Sequence, residues 1–546
     1  MSDKLFVIAI GGTGMRCLES FVHLCAIGMF DNQEIEVMML DTDSSNGNLG
    51  RTENLINLYR RIKSESHDKI DGGTPNTDTF FSAKLNFYKF CTDYNQSSRI
   101  TFRNISKLSE GDTDTQRQNQ LLSDLFLEKD TVQEFHLDHG YRAQTHLGSH
   151  LMYHGIVEAA RKLAAGAEVG DAEKNLENYL TKLQMAAENA RVFVFGSVFG
   201  GTGASSIPII PVAFRDAMEI RSGGKTNLDL SKTKFGSTLL TEYFSFKKPD
   251  LKQMGSKADS VIADSSFFPL NSQAALQFYQ QDPTVQSVYK RMYHIGWPLE
   301  SKPLSGAGEA KTITGGKEQK NNCHIVELLC ACAAYDFFTL PDAAFNMEKA
   351  EYLFRAIPFE SEAFNFTGND LVGEKGDVLT NKLGAFLSLA HISLSRNHAA
   401  WGDQGTKGFI NQLHSNKIDK YDAIDDLSTV EIDDYLKLFA YDFDKEKHFI
   451  PGWIYQVKKS VDPGTFIFRS EAFQETWKEL EKLDVGELFL DDKHNWDKGG
   501  IFGSRYDTFV KTLVDKGLPK EDQHVNTIKE KFLAHVYNAI TISQKF

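Results

Sequence analysis

The chain has 546 residues, of which 41% are hydrophobic and 25% are charged, which is the composition of a globular protein with two or three domains. Its formal net charge of -14 opposes non-specific attraction to nucleic acid or anionic lipid, and we expect neither as a partner. The six cysteines are too few for a disulfide scaffold, and no run of about 18 apolar residues predicts a transmembrane helix. With no secretory signal pattern at its start, we expect a cytoplasmic protein.

The first predicted elements are a strand, a glycine turn and a helix. Residues 5–10 form a continuous apolar run, typical of a strand buried on both faces. The turn 11–14 (Gly-Gly-Thr-Gly) follows, and a helix then runs from about residue 15 to residue 28. A second apolar strand at 35–40 ends in 41–43 (Asp-Thr-Asp). This strand–helix–strand order predicts a parallel sheet.

The next part of the chain is predicted to be less regular. Residues 64–120 are polar, and we expect inserted loops with some helix there. A helix should begin close to residue 148, and residues 165–190 are typical of a charged surface helix. Residues 191–198 form another apolar run, which predicts a buried strand.

A second glycine turn, 200–203 (Gly-Gly-Thr-Gly), follows that strand directly. It leads into a predicted helix at 207–219. Further strands are predicted at 235–246 and 292–296. The sheet should therefore carry two glycine turns, each between a buried strand and a helix.

A long apolar helix is predicted after residue 322, with Asn321 and Asn322 as its caps. Because it is apolar nearly all round, it should be buried centrally. The composition then becomes aromatic and acidic. We predict a nucleotide-binding domain at 1–320, a central core helix at 321–345 and an α+β domain at 346–546.

The two turns predict a phosphate site. Glycines let the backbone approach a phosphate closely, and a helix amino terminus adds partial positive charge. Asp41 and Asp43 fall at the carboxyl edge of the sheet, where ligands of open α/β folds bind. Each feature also has a structural interpretation, since a glycine turn can simply pack a helix on a sheet and an aspartate can cap a turn. Two turns in one domain nevertheless suit a ligand with several phosphates.

These motifs resemble those of the tubulin/FtsZ superfamily. The turn 11–14, the Asp-Thr-Asp at 41–43 with Ser-Asn-Gly-Asn at 45–48, and Phe-Gly-Gly-Thr-Gly-Ala-Ser at 199–205 occur in the order and context of that family. The chain resembles its divergent bacterial tubulin-like members more closely. The resemblance covers roughly residues 1–345 and implies a Rossmann-like α/β domain that binds GTP or GDP with Mg²⁺.

The resemblance also implies roles for individual residues. The first turn meets the inner phosphates, the second cradles the outer ones, and the segment 141–148 corresponds to a γ-phosphate-sensing loop. The start of the core helix lies where the family's purine contacts begin. The implied nucleotide-binding residues are Gly11, Gly12, Thr13, Gly14, Asp41, Asp43, Arg142, His146, Gly200, Gly201, Thr202, Gly203, Ser205 and Asn322.

The sequence departs from the family pattern in two places. Phe199 replaces the first glycine of the signature, and no Asn-x-Asp-x-x-Asp pattern supplies the family's hydrolytic carboxylates. Asp336 and Asp342, near the end of the core helix, are the candidate catalytic residues, and they would act on a neighbouring subunit's site. Asp336 can equally be an ordinary charge at a helix end.

Three functions remain open. The first is a self-assembling GTP-binding protein that hydrolyses GTP at subunit interfaces. The second is a nucleotide-dependent scaffold or sensor that hardly hydrolyses and gates a partner from the same operon, as in bacterial anti-phage defence systems. The third is an NAD-dependent oxidoreductase, which leaves the second glycine turn unexplained.

Overall fold

The structure is a computed structural model. It describes residues 3–64, 70–92, 101, 103, 113–127, 145–224, 229–245, 264–297, 317, 319–355, 368–395, 430–446, 448–460, 512 and 516–543. Nine strands lie in these residues: β1 (Lys4–Ile10), β2 (Glu34–Asp41), β3 (Lys84–Cys91), β4 (Ala190–Phe195), β5 (Lys234–Leu240), β6 (Tyr289–Ile295), β7 (Glu351–Arg355), β8 (Tyr441–Phe443) and β9 (Phe449–Pro451).

Strands β1 to β7 form one parallel sheet in the order β3-β2-β1-β4-β5-β6-β7. The parallel sheet and the helices packed on it are consistent with a Rossmann-like α/β fold. Strand β1 lies inside the sheet between β2 and β4, and its residues alternate between two cores. Val7 belongs to the core on one face, and Phe6 and Ile8 belong to the core on the other. Burial on both faces explains why this strand is an unbroken apolar run.

The described helices are α1 (Gly11–Ala26), α2 (Gly47–Lys63), α3 (Asp114–Phe126), α4 (Thr145–Ala164), α5 (Asp171–Ala186), α6 (Gly201–Ser206), α7 (Ile210–Arg221), α8 (Phe268–Gln281), α9 (Pro283–Val288), α10 (Ile325–Thr339), α11 (Gly368–Val372), α12 (Gly376–Ser395), α13 (Val430–Phe439), α14 (Trp453–Lys459) and α15 (Ile528–Ser543). The core that contains Val7 includes residues of α1, α2 and α10, and the opposite core includes residues of α4, α5 and α7.

The central helix α10 is almost entirely buried, as its apolar sequence predicted. The predicted caps were wrong, because the cap is His324. Its Nδ1 accepts a hydrogen bond from Val326 N, and the Glu327 side chain accepts one from His324 N. Asn321 and Asn322 lie in the segment before the cap, which has no regular secondary structure.

Helix α10 runs from the side of the sheet where the strands end to the side where they begin. It begins beside α1, at the edge where the glycine turns lie. The carbonyl groups of Phe337, Phe338 and the residue after the helix, Leu340, accept hydrogen bonds from Arg191 near the start of β4. The fifteen residues of the helix rise about 22 Å.

Several predicted elements differ from the structure. Strand β3 lies within 64–120, where we expected inserted loops with some helix. Its alternating polar residues resemble a loop, and among the described strands it pairs with β2 alone. The predicted helix 207–219 is replaced by the short α6, a turn and α7, since Pro208 interrupts the helix. Strand β5 ends at Leu240, well before residue 246.

The region after residue 346 packs on the rest of the protein in three ways. Strand β7 pairs with β6 in the main sheet. Trp453 Nε1 donates to Ser20 Oγ at 3.0 Å, which fixes α14 on α1. Lys63 Nζ lies 3.3 Å from Glu530 Oε1, a buried ion pair between α2 and α15. The α+β domain that we predicted for 346–546 therefore shares the sheet and a core with the residues before it.

Candidate functional site

The two glycine turns meet at the carboxyl edge of the sheet. Each follows one of two neighbouring parallel strands, since β1 pairs with β4 along its length. Gly11 has a φ of +66°, and a β-carbon placed on it would lie 3.1 Å from Cβ of Thr202. The turns 11–14 and 200–203 are therefore in contact and form a single site.

The glycines of the two turns have different physical roles. A β-carbon on Gly14 would lie 2.6 Å from the carbonyl oxygen of Phe195, and one on Gly203 would lie 2.6 Å from that of Ser197. Both glycines are required for close packing of a helix on the strand β4 region. A β-carbon on Gly200 would meet only Oγ of Ser197, at 3.4 Å, so there is space beside the backbone at Gly200.

The amino terminus of α1 has no side-chain cap. The residue before the helix is Ile10, which has no acceptor, and no side chain in the described residues caps the helix. The N–H groups of the first turn, at Gly11 to Gly14, lack intrahelical partners by the geometry of any α-helix. An anion is the natural partner for such a terminus.

Asp41 is a buried carboxylate at the end of β2, the next strand along the same edge. Its Oδ1 accepts hydrogen bonds from the backbone N–H groups of Thr42 at 2.7 Å and Asp43 at 3.3 Å. Its Oδ2 has no hydrogen-bond partner among the described residues, although the side chain is buried. Burial, and then the charge of Asp43, raise the pKa of Asp41 to about 7. A buried oxygen without a partner is costly unless a ligand or metal–water shell satisfies it.

Asp43 shapes the loop that follows. Its Oδ1 accepts hydrogen bonds from Ser45 N at 3.0 Å and Ser45 Oγ at 2.7 Å. This arrangement holds the loop from β2 to α2. Asp43 therefore has the turn-forming role that the sequence left as an alternative, and it lies beside Asp41 at the same edge.

A cluster of four amide side chains covers the first glycine turn. The sequence did not predict this cluster. Asn46 Nδ2 donates to Gln319 Oε1 at 2.8 Å, and Asn48 exchanges two hydrogen bonds with Asn321. A β-carbon on Gly12 would lie 3.2 Å from Asn46 Nδ2 and 3.7 Å from Gln319 Oε1. The segment before α10 is thus held against the loop from β2 to α2.

A buried ion network fixes the start of α10 against α1. Arg16 donates to both oxygens of Glu327, at 3.1 and 2.8 Å, and its Nη1 donates to the Asn321 carbonyl at 2.6 Å. Glu327 also accepts a hydrogen bond from Tyr243 Oη at 2.7 Å. Because it is fully buried and paired, Glu327 positions the segment beside the glycine turns and is not an exposed acid.

Several predicted site residues have different surroundings from those expected. Ser205 Oγ is buried and donates to the Thr202 carbonyl at 3.0 Å, so its hydroxyl stays within its own helix. Asn322 is exposed, and its neighbour Asn321 contacts the loop after β2 instead. His146 lies in the first turn of α4, and Arg142 lies outside the described residues.

The two candidate catalytic carboxylates lie far from the glycine turns, Asp336 in the last part of α10 and Asp342 in a short turn after it. Asp336 Oδ2 accepts a hydrogen bond from Tyr293 Oη at 2.6 Å. Asp342 pairs with Arg191 at 2.7 Å and Lys234 at 2.8 Å, at the start of β4 and β5. Neither residue is near the glycine turns of its own chain.

Phe199, directly before the second glycine turn, has a clear packing role. Its ring is buried and lies within 6.3 Å, between centroids, of the rings of Tyr243, Phe244 and Phe268. The aromatic cluster packs beside the second turn. The Phe199 side chain therefore anchors the residue that precedes Gly200.

The sequence matches no protein-family model and no curated protein. None of the helices in the described ranges is long and apolar enough to cross a membrane. Within the same ranges, no group of three or more His, Cys, Asp or Glu side chains is arranged to hold a metal ion. All six cysteines are buried, and none forms a disulfide.

Proposed function

We propose that this protein binds GTP with Mg²⁺ at the carboxyl edge of its sheet, in the manner of the tubulin/FtsZ proteins. The observation that carries the proposal is the contact between Gly11 and Thr202, which joins two glycine turns into one site. A single-turn dinucleotide site does not require that contact. The unsatisfied Oδ2 of Asp41 on the adjacent strand supports the same proposal.

Each part of the site has a chemical task in this proposal. The uncapped first turn of α1 donates N–H groups to the inner phosphates, and the backbone of Gly200 to Gly203 faces the outer ones. Mg²⁺ neutralises charge on phosphate oxygens, and the ionised form of Asp41 suits its water shell. The amides of Asn46, Asn48 and Asn321 offer both donors and acceptors, as recognition of a purine requires.

The position of α10 supports hydrolysis between subunits. One end of the helix begins at the nucleotide edge, and Asp336 and Asp342 lie toward the other. In a head-to-tail assembly of identical chains, the far edge of one subunit faces the nucleotide edge of the next. Asp336 or Asp342 of one subunit would then orient water at the site of its neighbour.

A second candidate function is a nucleotide-dependent scaffold or sensor with little turnover. The observation that favours it is that both carboxylates are already engaged, Asp336 with Tyr293 and Asp342 with Arg191 and Lys234. In that case nucleotide binding alone would gate a partner protein, such as a product of the same operon in a bacterial defence system.

Calorimetry with GTP, ATP and NAD tests the binding proposal. We expect GTP to bind and NAD to bind poorly, and Gly201→Val to lower GTP affinity more than tenfold, about 1.4 kcal/mol, because a side chain there fills the phosphate space. Gly223→Ala is the control for affinity. No atom lies within 4 Å of a β-carbon placed on Gly223, and its φ is +68°, so this variant should lose stability but keep its GTP affinity. Unchanged GTP affinity in a folded Gly201→Val variant contradicts the proposed site, and tight NAD binding favours an oxidoreductase.

A further inference from the structure

We propose that His150 and His154 form a two-histidine site for a divalent transition-metal ion on the surface of α4. The two residues are four apart on one helix, so they lie on the same face one turn from each other. Their ring centroids are 6.4 Å apart, and the ring planes differ by only 7°. The proposal is independent of nucleotide binding.

The ring separation is compatible with chelation. Imidazole nitrogens bind zinc at about 2.0–2.1 Å, which places the centres of two coordinated rings roughly 4.5–5.3 Å apart at the angles of about 90–110° that a chelating pair adopts. The observed separation of 6.4 Å is about 1 Å longer. The two rings must therefore turn toward each other about their side-chain bonds when a metal binds, and the helix backbone keeps its place.

The helix that carries the two histidines is fixed by its neighbours. Ser149 Oγ donates to the Ser205 carbonyl at 2.8 Å, and Tyr153 Oη donates to Asp216 Oδ2 at 2.7 Å. These contacts flank His150 and His154 and hold the backbone in place before a metal binds. A preformed helix lowers the entropy cost of bringing the two ligands together.

The chemistry of the two side chains selects transition metals. Neutral imidazole is a good ligand for Zn²⁺, Cu²⁺, Ni²⁺ and Co²⁺ and a poor one for Mg²⁺, which prefers oxygen. The four-residue spacing also continues back to His146, one turn earlier in the same helix.

Calorimetry on the untagged, full-length chain tests the site with Co²⁺, Ni²⁺, Zn²⁺ and Mg²⁺. We expect one transition-metal ion per chain, with Ni²⁺ tighter than Co²⁺ and no comparable Mg²⁺ binding. His150→Ala and His154→Ala should each weaken Ni²⁺ binding at least tenfold. The control variant is His448→Ala. His448 is exposed, and its Nδ1 lies 2.9 Å from Asp444 Oδ2 and 3.7 Å from Glu446 Oε2.

Each outcome decides the proposal. Circular dichroism establishes that the alanine variants are folded, and His150→Gln and His154→Gln provide variants of more similar size. Ni²⁺ affinity that is unchanged in both His150 and His154 variants overturns the site, and so does an equal loss in His448→Ala. A thiolate charge-transfer band in the Co²⁺ spectrum would place the metal on cysteine and also overturn it.

Discussion

Gly11 and Thr202 are in contact at the carboxyl edge of the sheet, although they belong to turns that are far apart in the sequence. A β-carbon on Gly11 would lie 3.1 Å from Cβ of Thr202. The contact exists because β1 and β4 are neighbouring parallel strands, and each strand is followed immediately by its turn. It makes the space between the turns sensitive to the smallest added side chain.

Gly11→Ala should therefore weaken nucleotide binding. Gly11 has a φ of +66°, and Gly166, in the turn after α4, has the same φ but no atoms near the position of a β-carbon. Both alanine variants should lose about 1–2 kcal/mol of stability from the left-handed backbone. Only Gly11→Ala should lose GTP affinity, at least tenfold by calorimetry. Equal GTP affinity in the two variants would show that the Gly11 turn does not contact the ligand.

Asp41→Asn should change how stability depends on pH. Because the pKa of Asp41 is raised to about 7 in the folded protein from an ordinary 3.8, the folded state holds a proton that the unfolded state releases between these values. The stability from the protonated form is present below about pH 4 and is lost as pH rises to about 7. The asparagine side chain does not titrate, so the variant lacks this loss of stability. As pH rises over that range, the free energy of unfolding of the variant should increase by a few kcal/mol relative to that of the native chain.

Denaturant unfolding of the nucleotide-free protein at several pH values measures this difference. A difference in unfolding free energy between the Asp41→Asn variant and the native chain that is constant with pH would contradict the raised pKa.

With Mg²⁺ present, the native chain should bind GTP more tightly as pH rises from about 6 to about 8, since ionised Asp41 favours the cation. The variant should lack that part of the pH dependence, and the titration of GTP itself cancels in the comparison.

Single substitutions in the Arg16–Glu327 pair should be strongly destabilising. Both side chains are fully buried, and each single change removes the closest charge partner of the residue that remains. Arg16 keeps a longer contact of 3.5 Å with Glu19. We expect Arg16→Met and Glu327→Met each to cost about 3–5 kcal/mol, and the double variant to cost less than the sum. Thermal and denaturant unfolding measure the cycle. Additive costs would show that the pair is not coupled.

Asp336→Ala and Asp342→Ala should spare GTP binding and slow GTP turnover at raised protein concentration. The reason is that Asp336, late in α10, and Asp342, in the turn after it, lie away from their own glycine turns, so they would act on the next subunit. Asp342 is largely exposed, and its removal should cost less than about 1 kcal/mol of stability.

Sedimentation and phosphate release over a protein dilution series distinguish the two proposed functions. Assembly should be favoured by GTP, Mg²⁺ and moderate salt, because salt screens repulsion between subunits of net charge -14. Specific activity that rises with concentration supports hydrolysis between subunits. Flat activity from a protein that stays monomeric rejects that mechanism and leaves the sensor function.

The amino-acid sequence by itself determined the local elements around the site. Strands β1 and β4 and the two glycine turns were predicted, because strands buried on both faces are continuous apolar runs and glycine marks the turns that follow. The apolar helix α10 was predicted for the same reason. Strand β3 was missed, since the polar residues among Lys84–Cys91 resemble a loop when its single neighbouring strand is unknown.

Only the tertiary structure decided which of these residues meet. The Gly11–Thr202 contact, the amide cluster of Asn48 and Asn321, and the Arg16–Glu327 pair all join residues that are distant in the chain. Hydrophobic periodicity reports which face of an element is buried, but it contains no information on which element covers that face. A charged residue such as Glu327 in an apolar helix indicates that a partner exists. Only the strand order and the helix packing identify that partner as Arg16.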